Sequence, residues 1–150
     1  TLSNKIYLSD IEWESSHSGY FPAKKDRSVS GGNLTCGGKR YAKGLGSCAD
    51  SKIVYSLKKR FSRLKTFIGI EDNNGSKDDQ SAIKGRAIFS ISGDGRNLIE
   101  PIPLIHGESP VYLDIDISGV DKIELTAEKP KDNMKNSAPH INWMDIAVEF

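Results

Sequence analysis

The 150 residues suit one domain, because a single hydrophobic core typically organises about 100–200 residues, and this argues against a two-domain enzyme. Lys and Arg number 21 against 20 Asp and Glu, and the net charge of +1 is spread over both signs along the chain, so no basic footprint for nucleic acid exists. Uninterrupted apolar runs are only a few residues long, far below the roughly 20 needed to span a bilayer as a helix, which speaks against membrane insertion.

In chain order, Leu34 to Cys36 and Arg40 to Ala42 flank the turn pair Gly37-Gly38 as a short hairpin, and Gly44 and Gly46 permit a sharp bend after it. Ile53, Tyr55 and Leu57 alternate with polar neighbours and predict a strand, and Leu64 to Ile70 predicts a more continuously apolar one. Ala87, Phe89 and Ile91 repeat the alternation, after which Gly93-Asp94-Gly95 offers the positive-φ residues of a tight hairpin before Leu98 and Ile99. Val111, Leu113, Ile115 and Ile117 interleave with Tyr112, Asp114, Asp116 and Ser118, so one face points inward and the other to water. Ile123 to Ala127 predicts a further strand, and Ile146, Val148 and Phe150 a last one. No segment repeats apolar residues at i, i+3, i+4 and i+7 over three turns. The predicted fold class is therefore all-β, a β-sandwich (jelly roll) in one domain over residues 1–150.

Three polar stretches, Ser15 to Gly32, Glu71 to Ser81 and Lys129 to Pro139, read as loops longer than ordinary connections, and long loops on a rigid β scaffold commonly carry binding surfaces. The start at Thr1-Leu2-Ser3, without an initiator Met or a signal segment, fits a module excised from a longer chain.

Catalytic and metal motifs are scarce. His17, His106 and His140 have no metal-ligand spacing, Cys36 and Cys48 form no C-x-x-C pair, and no G-x-S-x-G elbow occurs. Gly32 to Lys39 fails as a phosphate loop, since Asn33 stands where the first glycine should and Arg40 where Ser or Thr would bind magnesium. Glu12 with Glu14, and Asp114 with Asp116, are i, i+2 pairs that share a strand face, a spacing that could juxtapose two carboxylates for glycoside hydrolysis. Asp114 and Asp116 read better as the solvated face of their strand. Lys58, Lys59, Arg60, Arg63 and Lys65 read as a solvated turn between two strands. Glu71 to Asp79 is rich in the oxygen ligands calcium prefers but lacks EF-hand spacing, and reads as an acidic surface loop whose groups could also take sugar hydroxyls.

Several segments together resemble one family, the NPCBM domains, carbohydrate-binding module family 51. The likeness begins at Tyr7-Leu8-Ser9-Asp10-Ile11-Glu12-Trp13-Glu14-Ser15, passes through Gly19-Tyr20 and Asp26-Arg27-Ser28, and is densest at Tyr41-Ala42-Lys43-Gly44-Leu45-Gly46. It continues through Ile53 to Leu57, Phe67-Ile68-Gly69-Ile70-Glu71-Asp72, Gly93-Asp94-Gly95 and His140-Ile141-Asn142-Trp143-Met144-Asp145, nearly the whole chain. The resemblance implies a non-catalytic β-sandwich module of a secreted or cell-surface bacterial glycoside hydrolase, with the catalytic domain elsewhere in the parent chain. Its implied ligand is a galactose- or N-acetylgalactosamine-containing glycan, including blood-group A and B determinants, bound by a monomer. Two rival readings are a small glycosidase using Glu12 and Glu14, and a protein-binding adhesion module that has lost the sugar site.

The sugar site expected from this resemblance comprises Glu12, Trp13, Tyr20, Asp72, His140 and Asn142, since sugars offer apolar CH faces to aromatic rings and hydroxyls to carboxylates, amides and imidazoles. Trp13 and Trp143 read equally well as sandwich core. A structural calcium ion, as in related jelly-roll modules, would use Asp26 and Asp72. Relative to the family pattern, Cys48 replaces a histidine and Cys36 an aliphatic residue, and the Lys129 to Pro139 loop is lysine-rich rather than glycine- and aspartate-rich. The paired change to cysteine implies a Cys36–Cys48 disulfide, and the hairpin reading leaves room for it.

Overall fold

In the computed structural model, which describes residues 4–73, 85–131 and 139–150, the strands are numbered in chain order. They are β1 (Lys5–Tyr7), β2 (Ser15–His17), β3 (Lys24–Lys25), β4 (Leu34–Cys36), β5 (Lys39–Tyr41), β6 (Gly44–Cys48) and β7 (Ser51–Ser56). The second half adds β8 (Arg63–Ile70), β9 (Arg86–Gly93), β10 (Arg96–Asn97), β11 (Ile102–Ile105), β12 (Val111–Asp116), β13 (Lys122–Glu128) and β14 (His140–Glu149). A single 3-10 turn, Leu8–Asp10, is the one helical element among the described residues.

Two antiparallel sheets form the sandwich. The first runs β12-β8-β14-β6-β3 with β1 also on β14, and the second runs β10-β9-β13-β7-β2 with β11 also on β9. The inward residues of both interdigitate, and Phe89 of β9 meets Trp143 of β14 edge to face at 5.3 Å between ring centroids, joining the sheets at their centre. Trp143 is thus core. Tyr55 is equally buried and donates its hydroxyl to the Leu8 carbonyl at 2.7 Å.

The six segments that read as strands are strands, and Asp94 and Gly95 both take positive φ between Gly93 and its partner Arg96, the backbone a two-residue hairpin needs. The expected Ser15 to Gly32 loop contains the short edge strands β2 and β3. The last strand reaches back to His140, well beyond the alternation at Ile146 to Phe150. Its parity is broken by a bulge: the register slips between Met144 and Ala147, and Asp145 has φ of 52°. Ile141 and Trp143 before the bulge and Ile146 and Val148 after it therefore all face the core.

The outer face of the first sheet is covered as well. The β4–β5 hairpin pairs with no other strand and lays Leu34, Cys36 and Tyr41 against Met144 and Phe67 as a second small core. Glycines make this possible. A Cβ at Gly69 would stand 2.4 Å from Cys36 Sγ, and one at Gly46 would stand 2.4 Å from the Arg27 carbonyl oxygen. Glycine inside a strand often marks such a close approach.

This layering overturns the expected disulfide. Cys36 sits over Gly69 on β8, whereas Cys48 ends β6, and β14 runs between those strands. Two strand spacings, about 10 Å, exceed the roughly 7 Å limit for bridged Cα atoms. Both thiols are free and buried; that of Cys36 donates to the Glu108 carbonyl at 3.7 Å.

Candidate functional site

At one end of the first sheet β6 finishes at Cys48, opposite His140 at the start of β14, while Ile70 at the end of β8 pairs with Ile141. The chain leaves β8 through Glu71, Asp72 and Asn73, the first part of the expected Glu71 to Ser81 loop; residues 74–84, and residues 132–138 of the Lys129 to Pro139 loop, lie outside the described residues.

Glu71 is fully buried. Its Oε1 accepts from the Thr35 amide at 2.7 Å and from Asn142 Nδ2 at 2.9 Å, and its Oε2 accepts from Thr35 Oγ1 at 2.5 Å and the Asn73 amide at 2.9 Å. Asp72 accepts from the amides of Gly37 and Gly38, one on each carboxylate oxygen, at 3.0 and 2.9 Å, and its carbonyl accepts from His106 Nε2 at 2.7 Å. These two adjacent acids clamp the turn and first strand of the hairpin onto the sheet. A buried carboxylate is stable only when its lone pairs are met in this way.

The structure therefore brings Asp72, His140 and Asn142 together, but as the floor of the clamp. Asn142 has no exposed surface, and its Nδ2 donates to the Thr35 carbonyl at 3.1 Å and to Glu71 Oε1 at 2.9 Å. His140 is buried too; burial lowers its pKa, and the nearby Glu71 charge and the Asn73 backbone only partly oppose that.

Outside this floor the chain presents two aromatic rings. The Gly19 amide donates to the Cys48 carbonyl at 2.9 Å and the Cys48 amide donates to Ser18 Oγ at 2.8 Å, which fixes the following residues beside the end of β6. Gly19 is required there, as a Cβ would stand 2.4 Å from the Ala49 carbonyl oxygen. Tyr20 is 74% exposed and Phe21 43% exposed, and the rings meet edge to face at 4.8 Å. Burial raises the pKa of Cys48 beneath them, while hydrogen bonding with the Phe21 and Tyr20 backbone lowers it in part.

Glu12 and Trp13 form a separate cluster. Lys25 of β3 pairs with Glu12 at 2.9 Å and lies 4.9 Å above the Trp13 ring, which is half-buried against the main core. Glu14 pairs instead with Lys122 at 3.0 Å, so each carboxylate of the pair weighed for glycoside cleavage has its own lysine. Asp26 and Asp72 likewise do not meet a common ion. Asp26 binds Lys43 Nζ at 2.8 Å and the Gly44 amide at 3.1 Å; burial opposes its charge, but bonds from Lys43, Ser9 and Gly44 outweigh that and hold its pKa below the usual value. With a lysine ammonium on one carboxylate and two backbone amides on the other, these residues do not fit the proposed calcium site. Among the described residues no group of three or more His, Cys, Asp or Glu side chains could hold a metal ion.

Phe21, Lys25 and Glu71 are the residues of this end that sequence reasoning missed. Phe21 could have been found, since it adjoins Tyr20 in a polar stretch where an apolar ring has no strand to pack in. Glu71 reads as surface because nothing local reveals that a hairpin 36 residues earlier folds over it.

The model of the NPCBM/NEW2 domain matches residues 4–149. The chain belongs to the NPCBM/NEW2 domain family. Among curated proteins, this NPCBM/NEW2 domain is 32% identical over 148 residues to a putative endo-alpha-N-acetylgalactosaminidase of Renibacterium salmoninarum, covering 94% of the chain but only 9% of that relative. Among solved structures, the CBM51 of Clostridium perfringens GH95 in complex with methyl-galactose matches with a TM-score of 0.80 at 24% identity, over 96% of this chain and 99% of that one. CBM51-2 with the INT domains of Clostridium perfringens ZmpB, in complex with GlcNAc, matches with a TM-score of 0.82 at 24% identity, over 97% of this chain and 31% of that one. The tandem CBM51 modules of the family 98 glycoside hydrolase Sp3GH98 from Streptococcus pneumoniae SP3-BS71 match at 0.79 and 20% identity, over 99% and 48%. These likenesses establish the β-sandwich fold.

Proposed function

We propose that this NPCBM/NEW2 domain is a non-catalytic carbohydrate-binding module that recognises galactose- or N-acetylgalactosamine-containing glycans, blood-group A and B determinants among them, through the Tyr20–Phe21 rim. The observation that carries this reading is the exposed Tyr20 ring, buttressed by Phe21 and fixed to β6 through Ser18 and Gly19. An exposed aromatic ring supplies an apolar face for sugar C–H groups. Glu12, in its separate cluster with Trp13 and Lys25, keeps its carboxylate open to solvent and to hydroxyls. The name of the Renibacterium relative and the methyl-galactose in one structural neighbour support the same class of ligand.

The parent chain would be a secreted bacterial glycoside hydrolase, with this module, itself monomeric, holding the catalytic domain at its substrate by raising the effective concentration of glycan. The separate pairing of Glu12 with Lys25 and Glu14 with Lys122 supports a binding rather than a cleaving role, because a glycosidase needs two carboxyls placed about one bond. Titrating the protein and Tyr20→Ala with methyl galactoside, N-acetylgalactosamine and N-acetylglucosamine tests the proposal. Binding by the unaltered protein, weakened about tenfold by Tyr20→Ala, an effect of the size of one lost aromatic contact, supports it. Silence on every sugar favours the protein-binding reading, and release of free sugar from an oligosaccharide favours the enzyme.

A further inference from the structure

A second aromatic surface lies on the outer face of the first sheet. Outward positions on β8 and β12 are paired as Arg63 with Asp116, Lys65 with Asp114 and Phe67 with Tyr112. The charged end of this face is internally matched: Arg63 binds Asp114 at 2.9 Å and Lys65 binds Glu149 at 2.8 Å. The other end is apolar. Tyr112 is 52% exposed on an edge strand and its ring leans on Phe67 at 4.9 Å, which leans in turn on the buried Tyr41 of the hairpin at 5.7 Å. Above them Lys39 Nζ lies 5.0 Å from the Tyr41 centroid and 5.8 Å from that of Phe67, and among the described residues it has no carboxylate partner.

Tyr112 and Phe67, backed by the buried Tyr41, place an exposed aromatic ring beside a lysine ammonium. We infer that the Tyr112–Phe67 platform is a second carbohydrate subsite, taking one hexopyranose ring with its C–H face on Tyr112 and a hydroxyl within reach of Lys39. Tyr112 on β12 and Tyr20 beside the end of β6 are at least three strand spacings, about 14 Å, apart. The two surfaces therefore contact different residues of one glycan or different glycans, which strengthens attachment to a dense substrate without a tighter single site. The inference rests on the reading of the domain as a carbohydrate binder but not on the Tyr20 rim being its site.

Aromatic resonances of the full chain, followed by nuclear magnetic resonance during titration with methyl galactoside, methyl glucoside, N-acetylgalactosamine and N-acetylglucosamine, report on both surfaces at once. The expected result is saturable movement of the Tyr112 and Phe67 ring signals, weakened about tenfold in Tyr112→Ala, the scale of one aromatic contact. Lys39→Ala should weaken it as well, Tyr112→Phe should retain it, and Tyr20 signals should respond as before in all three. Tyr20 signals that move while Tyr112 and Phe67 stay still with every sugar would overturn the second subsite and leave the first. Tyr112 shifts that depend on protein concentration rather than sugar would overturn it in favour of self-association. Stillness at both surfaces would defeat this inference and the functional reading together.

Discussion

Asn142 Nδ2 donates to Glu71 Oε1 at 2.9 Å across the β8–β14 boundary, and neither residue has exposed surface. The pair links the two longest strands of the first sheet to the hairpin above them, because Thr35 bonds to both side chains. A polar network so enclosed specifies one seating of the hairpin, and its members cannot be removed singly without stranding the others.

Glu71→Ala should accordingly destabilise the domain by about 3 kcal/mol, through buried donors on Thr35, Asn73 and Asn142 left without an acceptor. Glu71→Gln, which keeps part of the acceptor capacity, should cost less. For a domain of this size the Ala variant should melt about 10 °C lower, measured by calorimetry; an unchanged melting temperature would show that the hairpin is not held by this carboxylate.

Gly69→Ala should cost on the order of 1–3 kcal/mol, the range for overpacking, because its Cβ would meet Cys36 Sγ at 2.4 Å. Cys36 Cβ is farther, at 3.7 Å, so Cys36→Ala should relieve part of the loss. A double-mutant cycle reads this directly: the combined change should be less harmful than the sum of the two single changes. Simple additivity would place the hairpin elsewhere.

Thiol titration should find two free thiols per denatured chain, since Cys36 and Cys48 are not bridged. In the native protein both should react slowly: burial, with the charges of Asp72 and Glu71, pushes the Cys36 thiol up to about 11, and burial also raises that of Cys48. A loss of both thiols that reductant reverses, with a mass decrease of two hydrogens in the unreduced chain, would restore the bridge.

Stability should fall as the medium is acidified below about pH 6.5. Burial holds the folded pKa of His140 under that of the unfolded chain, so the unfolded state takes up the proton first. The contribution is complete above the unfolded value and is lost as pH drops toward the folded one. His140→Gln should flatten the denaturation midpoint across this window, and an identical pH profile in both proteins would assign the effect to other groups.

How much of this was legible follows from the range of the interactions. Period-2 alternation in Ala87 to Ile91 and Val111 to Ile117 gave away strands, and Gly93-Asp94-Gly95 a hairpin, because these signals are set by neighbours two residues apart. The sequence by itself determined an all-β sandwich and, through its dispersed likeness to the NPCBM domains, its family. Only the tertiary structure decided which face of the first sheet the hairpin covers. That choice buried Asn142, His140 and Glu71, separated Cys36 from Cys48 and left Tyr112 in the open. The cause is long-range: the glycines at 46 and 69 and the acids at 71 and 72 acquire their roles only when segments far apart in the chain are laid on one another, and no local pattern encodes that meeting.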